Sequence, residues 1–252
     1  MQADTLKQHF DLIIVSCKAY QLNQVIEDMA PAVGPQTMIL PLLNGMRHID
    51  ELDARFGAEH VLGGQCVIAA TLDSEGVVRH LNPSASLTFG ERNGSRSERI
   101  ERVAQAMSNV RFEARLSTTI LQDMWDKWVF LASLAGITCL MRAPVGDIVA
   151  SPGGTHAIQS MLEDCRSVAE ACGHAPSDLV IQRANSVLTE PGSTLGASMM
   201  RDLEQGAPVE ADHVLGDLLA RGGAAGSDLS TLRLAYTHLK AYEARRLQAS
   251  RH

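Results

Sequence analysis

Leu12-Ile13-Ile14-Val15-Ser16, then a helical period through Leu22, Val25, Ile26 and Met29, then Thr37-Met38-Ile39-Leu40, is the stretch that decides the fold. A run that is apolar on both faces is what a strand buried in a parallel sheet looks like. Pro31, followed by Gly34 and Pro35, ends the helix between the two runs. A strand–helix–strand unit of this kind takes a parallel, right-handed crossover by strong default.

Working outward, Asn44-Gly45 makes a turn after the second strand. A helix carrying Ile49, Leu52 and Phe56 follows and stops at Gly57. Val61 to Ala70 reads as another strand region. Val77-Val78-Arg79-His80 and Ser86-Leu87-Thr88-Phe89 read as two short antiparallel strands separated by turn residues. A helix over 96–108 and a last strand over Val110 to Ala114 complete an α/β texture.

From Ser117 strand signals nearly vanish. Helix patterns follow at 118–141, 155–172, 177–188, 196–205, 209–221 and 228–247, with Thr119 and Gln122 as a candidate capping box at the switch. The sequence therefore predicts an α/β part over 1–116 and an all-α domain over 117–252. No G-x-G-x-x-G occurs, and two confident parallel strands make only an incomplete nucleotide-binding sheet.

Composition narrows the function classes. The chain has 252 residues, 45% of them apolar, and a net charge of -7 with scattered basic residues. That is an ordinary globular composition with no electrostatic footprint for nucleic acid. No cluster of Arg and Lys along the sequence marks a phosphate site. Five cysteines without a CxxC pair point to reduced, buried thiols and a cytoplasmic protein. Met29 to Met46 is broken by prolines, and Trp128 to Met141 is short for a membrane span, so no membrane association is expected.

A few residues can carry chemistry. Lys18 and Asn44 each follow a predicted parallel strand, and ligands of open α/β sheets lie beyond those carboxyl ends. The plain alternatives are a solvated lysine and a simple Asn-Gly turn. Lys127 stands between Trp125 and Trp128 before an apolar run, where desolvation would suit it to proton transfer. Its alternative is a snorkelling side chain. Ser198 and Glu210 bracket a helix and its exit, and each alone reads better as a helix-start residue than as a site residue. His213 and Asp217 can share one face, but no further ligands accompany them, and no metal is expected.

Together these segments resemble the ketopantoate reductase (2-dehydropantoate 2-reductase) family from about residue 11 to 245. Asp11 to Gln21 is similar to its strand ending in a Lys-Ala-x-Gln-type segment, and Leu43-Asn44-Gly45 to its Gln-Asn-Gly turn. Leu62-Gly63-Gly64, Ala69-Ala70 and Gly76 to His80 are similar to the next stretch. Trp125-Asp126-Lys127 resembles its W-x-K motif, and Ser198-Met-Met-Arg-Asp202 with Glu210 its S-M-x-x-D signature and downstream glutamate.

The resemblance implies a Rossmann-like domain followed by an all-α domain of the 6-phosphogluconate dehydrogenase C-terminal type. It implies NADPH-dependent reduction of a 2-oxo acid, as in pantothenate biosynthesis, by a cytoplasmic enzyme that is expected to pair as a homodimer. Lys127 would be the catalytic lysine. Lys18, Asn44, Ala70 and Glu210 would hold the cofactor, and Asn44, Lys127 and Ser198 the substrate.

Two features depart from the family pattern. Its opening strand and glycine-rich loop would precede residue 11, so the chain as given is expected to bind NADPH poorly, each lost pyrophosphate contact costing about 1–3 kcal/mol. Three positions where the family carries asparagines are Leu131, Ala135 and Val145, which implies a more apolar or different 2-oxo acid. The alternative readings are a non-catalytic remnant serving as a small-molecule-binding or dimerisation module, and a dehydrogenase of the 6-phosphogluconate type.

Overall fold

A computed structural model describes residues 8–249 apart from 74 and 225–227. The chain forms two compact units. The first comprises the N-terminal residues to Met124, except Lys18–Tyr20 and Asn44–Arg47; these two segments join Trp125 onward in the second.

In the first unit β1 (Leu12–Val15) runs parallel to β2 (Met38–Pro41), Leu12 opposite Met38 and Val15 opposite Pro41. The connection carries α1 (Leu22–Met29), whose buried Leu22, Ile26 and Met29 lie at helical spacing on one face. Pro31 falls in a single 3₁₀ turn, Ala30–Ala32, that closes this helix. β2 is buried throughout, as a central parallel strand should be. β1 differs from the sequence expectation in that Ile14 is 44% exposed. After α2 (Arg47–Phe56), the chain turns at Gly57, whose φ of +94° favours glycine. Val61 then makes a parallel bridge to Ile39.

β3 (Gly63–Leu72), β4 (Val78–Gly90) and β5 (Glu113–Leu116) form a second sheet in that order, with α3 (Glu98–Ala106) between the last two strands in sequence. The two short strands expected over 77–80 and 86–89 are one long strand. Both halves pair antiparallel with β3, and the register slips between Ile68 and Ala70, opposite residues 81–84. The polar stretch that reads as a turn is absorbed as a bulge, which bends a strand without ending it. The last strand also lies a few residues later than expected, parallel to β4. Met38, Leu40, Leu62, Leu87, Phe89, Ile100 and Val103 form the core of this unit. Each fully buried side chain of this size contributes about 1.5–3 kcal/mol.

The second unit is helical: α4 (Ile120–Met141), α5 (Val145–Ala150), α6 (Gly154–Ala171), α7 (Asp178–Leu188), α8 (Ser198–Glu204), α9 (Asp217–Arg221) and α10 (Ser230–Ala249). Lys127 lies well inside α4, since that helix starts at Ile120. The entry to α4 is held by Ser117, whose hydroxyl accepts the Thr119 N–H and donates to the Asp123 carboxylate. α4 is long and apolar enough to cross a membrane, yet 67% of its most apolar window is buried within the fold, as in a core helix. Cys139 and Cys165 are buried, and burial pushes both thiols up to about 12; Cys17, Cys66 and Cys172 are half-buried, and no disulfide forms among the described residues.

Candidate active site

The helical unit brings together two polar groups. In the first, the Lys127 ammonium donates to Asn44 Oδ1 at 3.2 Å, across 83 residues of sequence. An amide whose oxygen faces a lysine turns its NH₂ the other way, presenting two donors. In the second, Lys18 Nζ lies 2.9 Å from Asp202 Oδ2 and 3.4 Å from Glu210 Oε2. The other oxygen of Glu210 accepts the Ala19 backbone N–H at 2.9 Å. Burial of Lys18 works against its charge, but Glu210 and Asp202 outweigh that and raise its pKa. Glu210 is itself buried.

The segment 210–214 ties the two groups together. Trp128, adjacent to Lys127, donates its indole N–H to the Val214 carbonyl at 2.9 Å. Gly45, adjacent to Asn44, packs so closely on this segment that a Cβ there would lie 2.6 Å from the His213 carbonyl oxygen. Its φ is +81°, a second reason for glycine. Gly45→Ala is therefore expected to lower stability by about 1–3 kcal/mol and to weaken any ligand that leans on Asn44. A denaturant midpoint that does not move would show that the turn has room to adjust.

Residues 212–216 form a π-helical turn immediately after Glu210. Such wide turns are rare and recur at functional sites. Here Asp212 anchors it, accepting from the Tyr236 hydroxyl at 2.7 Å and the Lys240 amine at 3.0 Å. Burial pushes the Asp212 pKa up, but these two donors hold it below the usual carboxylate value. Trp125 stacks on His174 with ring centroids 5.2 Å apart, and the Arg221 guanidinium sits 5.9 Å from the Trp128 ring.

The remaining residues singled out in the sequence fall as follows. Ser198 is the exposed first residue of α8, four before Asp202 and so on the same helix face. Ala70 is exposed on β3 in the first unit, at the register slip. Asp217 pairs with Arg221 at 3.0 Å. Sequence reasoning missed Asp202 as the partner of Lys18, although its place in the serine–aspartate segment was visible. It also missed the π turn, which no residue pattern announces.

Residues 1–94 match the model of the family described as ketopantoate reductase PanE/ApbA, and residues 119–243 match that of its C-terminal part. The chain belongs to the ketopantoate reductase family. An uncharacterized oxidoreductase of Bacillus subtilis, YkpB, is 38% identical over 236 residues, covering 93% of this chain and 78% of that protein. The solved 2-dehydropantoate 2-reductase of Methylococcus capsulatus superposes with a TM-score of 0.84 at 24% identity, covering 97% of this chain and 78% of that one. A D-mandelate dehydrogenase solved with NADH and anilino(oxo)acetate gives 0.85 at 20% identity, covering 97% and 79%. These ketopantoate reductase relatives fix the fold class as a Rossmann-like α/β part followed by the helical domain.

Proposed function

We propose that this ketopantoate reductase relative reduces a 2-oxo acid to its 2-hydroxy acid with a nicotinamide cofactor, NADPH in preference to NADH. The observation that carries the reading is the 3.2 Å contact between Lys127 and Asn44, whose neighbours Trp128 and Gly45 both pack on the segment that follows buried Glu210. The donor set suits the nicotinamide riboside end of such a cofactor. Asn44 offers amide donors to a carboxamide. Glu210, with Lys18 and Asp202, gives a cluster of net charge -1 that accepts hydroxyls better than it binds phosphate.

The bound cofactor supplies hydride. Lys127 gives its proton to the carbonyl oxygen of the substrate, and its charge stabilises the oxyanion developing there. Asn44 holds the lysine in place and orients the reacting carbonyl. Ser198, on the same face of α8 as Asp202, takes the substrate carboxylate. Ala70 contributes its backbone beside the nicotinamide.

The substrate wall next to Lys127 is apolar. Leu131 and Ala135 lie one and two turns along α4 on the lysine's own face, and Ala135 is only 5% exposed. The D-mandelate dehydrogenase of the same fold, with anilino(oxo)acetate bound, supports an apolar substituent on the oxo acid. A 2-oxo acid bearing a branched aliphatic or aromatic side chain is expected to exceed ketopantoate in kcat/KM by about tenfold or more, since this wall has no partner for ketopantoate's hydroxyl. The test follows oxidation of NADPH and NADH against a panel of 2-oxo acids, using the protein its native gene encodes. A preference for ketopantoate would overturn the specificity, and no turnover of any 2-oxo acid would overturn the reductase reading.

A further inference from the structure

Folding assembles a basic pocket that the sequence does not announce. A cavity of about 630 Å³ lies where the end of α4, the end of α8 and the last turns of α10 meet. His238, Tyr242, Arg245 and Arg246 line it from α10, at positions that share one helix face. Arg142 enters from the residue after α4, separated from the other two arginines by about 100 residues of sequence. Three arginines face one glutamate, Glu204, so the lining carries a formal charge of +2 in a chain of net charge -7.

The pocket is built rather than merely lined. The Tyr242 hydroxyl donates to the Ala207 carbonyl at 2.7 Å, and Arg246 Nε to the Gly206 carbonyl at 2.8 Å, fixing α10 against the exit of α8. Burial raises the pKa of Tyr242, while Arg246 and Arg142 both pull it down, which places both cations near its hydroxyl. Arg142 holds a φ of +52°, a backbone region that non-glycine residues seldom adopt. Arg142 and Arg245 make no ion pair among the described residues, and His238 Nε2 is enclosed without a hydrogen-bond partner. Three arginines around one pocket, two of them exposed, suit a multivalent oxyanion.

We propose that this pocket binds a small polyanion, a phosphorylated or polycarboxylate metabolite with two or more negative charges. It shares no residue with the cluster of Lys18, Asn44, Lys127, Asp202 and Glu210. Arginine forks suit such groups because they bind oxygens in pairs.

The test titrates the protein its native gene encodes with pyrophosphate and with citrate, by calorimetry, at an ionic strength held constant with sodium chloride. At least one probe is expected to bind, and the one that binds more tightly identifies phosphate or carboxylate as the preferred group. The double variant Arg142→Gln, Arg245→Gln should weaken that binding at least tenfold; both side chains are exposed, so the fold should survive. Lys18→Gln should leave it unchanged. Binding of neither probe, equal affinity in the double variant, or a loss caused by Lys18→Gln would each overturn the proposal. None of these readouts requires turnover, so a failed reductase assay leaves the pocket standing, and the reverse holds.

Discussion

Replacing Lys127 by alanine is expected to lower the rate of 2-oxo acid reduction by about two to four decades, the usual cost of a lost general acid. The loss should fall on kcat more than on cofactor affinity, because in the proposed mechanism Lys127 meets the substrate oxygen at the moment charge develops there. Lys127→Arg provides the contrast. It keeps a cation facing Asn44 but cannot release a proton, so it should recover electrostatic stabilisation without recovering full turnover. Steady-state kinetics of both variants decide the matter: an alanine variant within about threefold of the parent would remove Lys127 from proton transfer.

Trp128→Ala is expected to have the largest effect on stability, about 3–5 kcal/mol. Trp128 is only 1% exposed, and three interactions converge on it. Its indole holds the Val214 carbonyl, its ring receives the Arg221 guanidinium, and it borders the tight packing of Gly45 on His213. Truncation leaves a cavity and an orphaned carbonyl together. Set against a typical total of about 5–15 kcal/mol, such a loss leaves a marginal protein. Trp128→Phe, which keeps most of the volume and loses the N–H, should cost about 1–2 kcal/mol. Urea unfolding of the two variants measures both; a loss below about 1 kcal/mol for alanine would mean that the cavity refills.

The periodicities located the helices because burial enforces them. Leu22, Ile26 and Met29 face the core as their spacing requires. Asn44 and Lys127 were legible for a different reason: each lies beside a turn or an apolar run whose geometry is local, and the family motif order joined them. What stayed hidden depends on packing between distant segments. The continuous β4 was masked because Asn82, Pro83 and Ser84 are turn residue types, and only pairing with β3 tells a bulge from a turn. Asp202 was visible as part of the serine–aspartate segment, but its pairing with Lys18, 184 residues away, was not. Arg142 goes unmarked for the same reason, since sharing a pocket with Arg245 and Arg246 leaves no trace in spacing.

The placement of Lys18–Tyr20 and Asn44–Arg47 with the helices has a consequence for protein engineering. Cutting the polypeptide at the change of texture near Ser117 would not yield a self-sufficient helical module, because an amine and a carboxamide on which its polar centre relies would stay with the other fragment. A chimera that joins another relative's front half to these helices imports the donor's versions of those two groups as well. Recombination at that seam therefore rewrites the centre it was meant to preserve.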